Sequence, residues 1–152
     1  MRDRINKSWT FAEIERLIQA FEQGTLPRNE WTHQAHLIVA LWYLTHYPQP
    51  KATDFIRNGI QQYNRAIGII TTKDSGYHET LTLFWVQMVD QYLVAKGKNL
   101  SLEALANGLI QDYTNPHLPL EYYSRDYLMS WQARQHWIEP DLKSFNLIQN
   151  SF

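Results

Sequence analysis

One stretch organises the chain: Gly76-Tyr77-His78-Glu79-Thr80-Leu81-Thr82, which opens the longest apolar helix that the sequence predicts. This helix runs to about Lys96, and it is almost continuously apolar from Leu81 to Val89, so it should be buried on most sides. A second apolar helix begins at Thr32-His33-Gln34-Ala35-His36-Leu37 and ends near Tyr47. Both helices are therefore expected to be central and to pack against each other.

Capping residues and helix breakers predict three more main helices. Thr10-Phe11-Ala12-Glu13 is a capping-box pattern, and Gly24 ends the helix that it opens. A third helix is expected from near Lys51 or Thr53 to Gly68, and another from Ser101 to Tyr113. Shorter helical stretches are predicted at 119–123, 125–129 and 131–137, and no stretch alternates as a strand does. We predict an all-α, single-domain bundle over residues 1–152, with about five main helices and a C-terminal segment of short helices.

Composition excludes several classes of protein. The net charge of −1 without a basic block argues against nucleic acid as a partner. The chain has no run of about 18 apolar residues, so no membrane span is expected. Residues 1–7 are charged and read as the start of a frayed tail rather than a signal peptide. The absence of cysteine excludes thiolate sites and fits a reducing compartment, so the expected location is the cytoplasm.

The starts of the two apolar helices carry the residues with the most chemistry. His33 and His36 lie three apart, on one helix face, and His78 and Glu79 are adjacent. If both helices begin at the same end of the bundle, three imidazoles and one carboxylate converge. A helix N-terminus keeps imidazole neutral, the form that binds metal, so His33, His36 and His78 are candidate ligands of Zn, Fe, Mn or Cu. The alternatives are hydrogen-bonded histidines without a metal and a Glu79 that only caps its helix.

Aromatic residues supply a second set of candidates. They are expected around the same pocket, where they would hold a planar ligand, and are Trp31, Trp42, Tyr43, Tyr77 and Trp85. Arg134 is expected at the pocket mouth, where it could bind a carboxylate of a substrate. Its alternative is an ion pair with Asp126 or Glu139.

The motifs resemble those of a family of small, uncharacterised, all-helical bacterial proteins. The resemblance covers roughly residues 11 to 142 and rests on Thr32-His33-x-x-His36-Leu37 and Tyr77-His78-Glu79-Thr80-x-Thr82. It implies one all-α unit with a site at the two histidine-bearing helix starts, and it implies no activity or cofactor. Where the family pattern has a Lys before Tyr-His-Glu-Thr, this chain has Gly76, which argues against a lysine acting in the site.

Three functional hypotheses follow. The first is a metal-dependent enzyme that hydrolyses or oxidises a small molecule, with Glu79 as fourth ligand or general base and Tyr77, Trp85, Trp42 and Arg134 contacting the substrate. The second is a non-catalytic module that binds a small ligand in an aromatic-lined pocket. The third is an interaction domain, for example a homodimer, that uses exposed aromatic residues.

Overall fold

The computed structural model describes residues 8–97 and 99–145, and these form a bundle of α-helices without a strand. The helices are α1 (Phe11–Gln23), α2 (His33–His46), α3 (Gln49–Ile67), α4 (Glu79–Lys96), α5 (Leu102–Asp112), α6 (Arg125–Leu128) and α7 (Trp131–Gln135). Short 3₁₀ turns occupy Arg28–Glu30 and Leu118–Glu121. The all-α prediction with five main helices and a C-terminal segment of short ones is confirmed. The expected tail at the N-terminus lies, except for Ser8, outside the described residues.

The two apolar helices are central, as their composition predicts. Helix α2 contacts α1, α3, α4 and α5, and α4 contacts α2, α3, α5 and α7. All of residues 37–41 in α2 are buried, because every side of this helix faces another element. The C-terminal segment covers α4 through a second apolar cluster around Phe84 and Tyr123. Within the described ranges, no helix is both long and apolar enough to cross a membrane.

Local capping explains most helix boundaries. The Thr10 hydroxyl accepts from the Glu13 N–H at 3.1 Å, and the Glu13 carboxylate accepts from the Thr10 N–H at 3.0 Å. Thr32 caps α2 with a single bond, in which its hydroxyl accepts from the Ala35 N–H at 3.2 Å. Gly24 ends α1 in the left-handed conformation, with φ 72°. The capping-box prediction is thus confirmed.

Two helix starts differ from the prediction. Helix α3 begins at Gln49, earlier than Lys51, because Pro50 falls in the first turn, where no N–H is needed. Helix α4 begins at Glu79 and not near Gly76. Gly76 has φ 90°, and a Cβ on it would lie 2.5 Å from the Thr71 Cα, so it belongs to a tight loop that only glycine fits.

Candidate functional site

A cavity of about 480 Å³ lies between α2, α3, α4 and the loop of residues 68–78. The two helix starts contribute much of its polar lining, including all three predicted histidines. Tyr77 and Trp85 also line it, as the aromatic hypothesis predicts. The expectation of a shared pocket at the two helix starts therefore agrees with the geometry.

His36 presents an unprotonated ring nitrogen in this cavity. Its Nδ1 donates to the Thr32 carbonyl oxygen at 2.7 Å, which places the proton on Nδ1 and the lone pair on Nε2. Burial lowers the pKa of His36 to about 4, although the hydrogen bond to Thr32 opposes this change. The Trp31 ring lies against the imidazole, with 3.7 Å between ring centroids. At neutral pH the side chain is thus an uncharged acceptor beside an aromatic surface.

His33 takes the opposite tautomer. Its Nε2 donates to the Tyr113 carbonyl oxygen at 2.8 Å, so the lone pair is on Nδ1. Its ring packs edge-on against Trp85 at 4.9 Å between centroids. Burial lowers the pKa of His33, and the bond to Tyr113 opposes that shift. His33 is therefore also held by a backbone carbonyl from a distant part of the chain.

His78 is the N-cap of α4, and both of its ring nitrogens are used. Nδ1 accepts from the Leu81 N–H at 3.1 Å, and Nε2 donates to the Leu128 carbonyl oxygen at 2.8 Å. Burial is the main cause of its lowered pKa, so the ring is neutral at pH 7. Binding a metal through either nitrogen would break one of these two hydrogen bonds.

All three histidines line one cavity, and each has at least one ring nitrogen bound to a backbone group. The described residues contain no group of three or more His, Asp or Glu side chains placed to hold an ion. Both ring nitrogens of His78 are hydrogen-bonded, so this residue offers no lone pair to an ion. Only His33 and His36 keep a ring nitrogen whose lone pair faces no donor among the described residues. A bound divalent ion, Zn, Fe, Mn or Cu, therefore stays a prediction that this geometry does not support.

Glu79 is engaged by two neighbours rather than facing the cavity. Arg57 on α3 donates from Nε to both carboxylate oxygens, at 3.0 and 3.1 Å, and from Nη2 to Oε2 at 2.7 Å. The Tyr77 hydroxyl donates to Oε1 at 2.6 Å. Burial alone raises the pKa of Glu79, but the hydrogen bonds from Arg57 and Tyr77 outweigh it and leave the pKa below its ordinary value. A carboxylate held in this way is a weak general base.

Two of the predicted substrate contacts lie elsewhere. Trp42 stacks on His46, 4.2 Å between centroids, and does not line the cavity. Arg134 is buried under the loop, where Nη1 donates to the Gly76 and Tyr77 carbonyl oxygens at 3.1 and 3.4 Å. Arg134 therefore lies neither at the pocket mouth nor in the alternative ion pair with Asp126 or Glu139. The reason is that α7 packs against α4, which brings the Arg134 guanidinium to the backbone carbonyl groups just before α4.

Tyr43, also expected around the pocket, lies outside it as well. Its hydroxyl donates to the Glu22 carboxylate. Among the lining residues not anticipated from the sequence are one charged and one amide side chain, Arg28 and Asn64. Asn64 follows Ile60 by four residues and so lies on the same face of α3, which the helical spacing of Ile56 and Ile60 predicts to point inward. Nothing local distinguishes Arg28.

Comparison of the chain with protein-family models, curated proteins and solved structures finds no match. The resemblance to a bacterial helical family stays a prediction from the motifs.

Proposed function

We propose that the protein binds a small aromatic molecule carrying a hydrogen-bond donor, in the cavity between α2, α3 and α4. The observation that supports this most is the neutral His36 ring, whose Nε2 has no hydrogen-bond partner among the described residues. An acceptor that lines the cavity without a protein partner favours a ligand that donates to it, because a ligand that covers it without donating loses a hydrogen bond to water.

The remaining lining fits the same class of ligand. Trp31 and Trp85 offer aromatic surfaces, and aliphatic side chains from α2, α3 and α4 supply much of the rest. The volume of about 480 Å³ lies within the range of roughly 300–1,000 Å³ that is usual for small-molecule sites. A planar ring system of two fused rings would be well accommodated.

Binding is favoured over metal-dependent catalysis for two reasons. His78 lacks a nitrogen free for a metal, and Glu79 lacks the raised pKa that suits a general base. Hydrolysis or oxidation at a bound ion stays a prediction, and metal analysis of protein purified without a histidine tag tests it. A homodimer built on exposed aromatic residues also stays a prediction, which sedimentation at several concentrations would test.

Calorimetric titration with 2-naphthol and 2-methoxynaphthalene tests the proposal. The two probes share a ring system, and only 2-naphthol can donate to Nε2 of His36. We expect 2-naphthol to bind about tenfold more tightly, since one hydrogen bond contributes about 1–1.5 kcal/mol. In His36→Leu the preference should disappear, while the protein stays folded by its melting curve.

His46→Leu is the matched control, because His46 stacks on Trp42 outside the cavity. This variant should keep the full preference for 2-naphthol. If neither probe binds the parent protein, or if His36→Leu keeps the preference, the proposed function is wrong.

A further inference from the structure

The cavity carries an unbalanced positive charge. Of its sixteen lining residues none is Asp or Glu, and Arg28 is the one with a permanent charge. The three histidines do not add to it, because burial lowers the pKa of each. The nearest carboxylate along α4, Glu79, is already paired with Arg57. A cationic ligand would therefore find no counter-charge in this lining.

Arg28 is positioned at the cavity and is not neutralised there. It begins the 3₁₀ turn before Trp31, and its carbonyl oxygen accepts from the Trp31 N–H at 3.0 Å. No ion pair joins its guanidinium to a carboxylate in the described part of the chain, even though Glu30 is two residues away. Burial raises the pKa of Tyr63; the charge of Arg28 opposes this shift and the charge of Glu30 adds to it, so both charges lie near the α3 side of the cavity.

Asn64 is a second, independent feature on that side. The residue is only 7% exposed, and no hydrogen bond within the described residues reaches its side-chain amide. It lines the cavity and also a neighbouring groove, which contains Arg65 and shares Asn64, Ile69 and Tyr77 with it. Because this amide lines the cavity and has no protein partner among the described residues, a ligand oxygen in the cavity would satisfy its N–H donors.

We propose, resting on the proposed function, that the ligand is an aromatic carboxylate. Its ring system occupies the space beside Trp31 and Trp85, its donor faces His36, and its carboxylate binds the Arg28 guanidinium and the Asn64 amide. Guanidinium and carboxylate match in geometry, because two parallel N–H donors meet two oxygens. The lining disfavours amines of the same shape, because it contains no Asp or Glu to pair with their charge.

A matched set of probes tests this inference: 6-hydroxy-2-naphthoate, 6-hydroxy-2-naphthamide and 2-naphthol. All three carry the hydroxyl that can reach His36, and the first two differ by one negative charge. By calorimetry at low salt, we expect the carboxylate to bind about fivefold more tightly than the amide, a modest preference because Arg28 is exposed to solvent. Arg28→Gln should remove that difference and leave 2-naphthol binding unchanged.

Arg65→Gln is the control, because Arg65 lies in the neighbouring groove. It should keep the fivefold preference. Equal affinity for carboxylate and amide in the parent protein would overturn the inference and leave the proposed function standing. A preference that survives Arg28→Gln and disappears in Arg65→Gln would also overturn it, by placing the carboxylate in the groove. If 2-naphthol does not bind either, the proposed function itself is wrong.

Discussion

His78→Ala is expected to lower the free energy of unfolding by about 2–4 kcal/mol. Losing the N-cap of α4 costs about 1 kcal/mol, because the Leu81 N–H loses its acceptor. Leaving the Leu128 carbonyl oxygen unpaired inside the protein adds about 1–3 kcal/mol. Urea unfolding followed by circular dichroism measures the change as a lower midpoint at an unchanged slope.

His78→Asn separates the two contributions. Asparagine is a strong N-cap, so it should restore the bond to Leu81 but not the one to Leu128. We expect it to recover about 1 kcal/mol relative to alanine. If His78→Ala unfolds within about 0.5 kcal/mol of the parent, the residue does not hold α4 in this way.

Glu79→Gln is expected to destabilise the fold by about 1–3 kcal/mol at pH 7. Both carboxylate oxygens of Glu79 accept hydrogen bonds, from Arg57 and Tyr77. In glutamine an amide nitrogen replaces one of these oxygens, and its N–H groups would face at least one of the donors. The side chain is 14% exposed, so solvent does not replace the lost bonds fully. The same urea experiment measures this loss. A Glu79→Gln protein as stable as the parent would contradict the assignment of a structural role.

The effect of Glu79 should depend on pH in one direction. Since its folded-state pKa is lowered, its contribution is fully present above its unfolded-state pKa of about 4.3 and is lost as pH falls through the folded value. The difference between parent and Glu79→Gln should therefore shrink under acid conditions. Asp54→Asn is the matched control, because Asp54 binds the same Arg57 but is 70% exposed, and it should change stability by less than about 1 kcal/mol.

The helices could be predicted from the sequence because their signals are local. Thr10 with Glu13, Thr32 with Ala35, and Gly24 each act within a few residues. The central position of α2 and α4 followed from their apolar character on all sides, which only a buried helix tolerates. The predicted start of α4, near Gly76, is too early, because the residue that caps this helix is His78.

The contacts of the site residues could not be predicted, because distant segments provide them. His33 is bound by Tyr113, 80 residues away, and His78 by Leu128, 50 residues away. These carbonyl oxygens determine which nitrogen of each ring carries the proton. Spacing along one helix predicts which side chains share a face, and it carries no information about those remote partners.

The binding site itself is tested most directly by the ring nitrogens of His36. A ¹⁵N–¹H correlation spectrum of the histidine side chains at pH 7, recorded during a titration with 2-naphthol, reports the tautomer and the contact together. We predict a neutral His36 ring with its proton on Nδ1, and an Nε2 resonance that shifts in step with saturation while that of His46 stays constant. A proton on Nε2 of His36, or an unmoved Nε2 resonance while 2-naphthol binds, would contradict the proposed site.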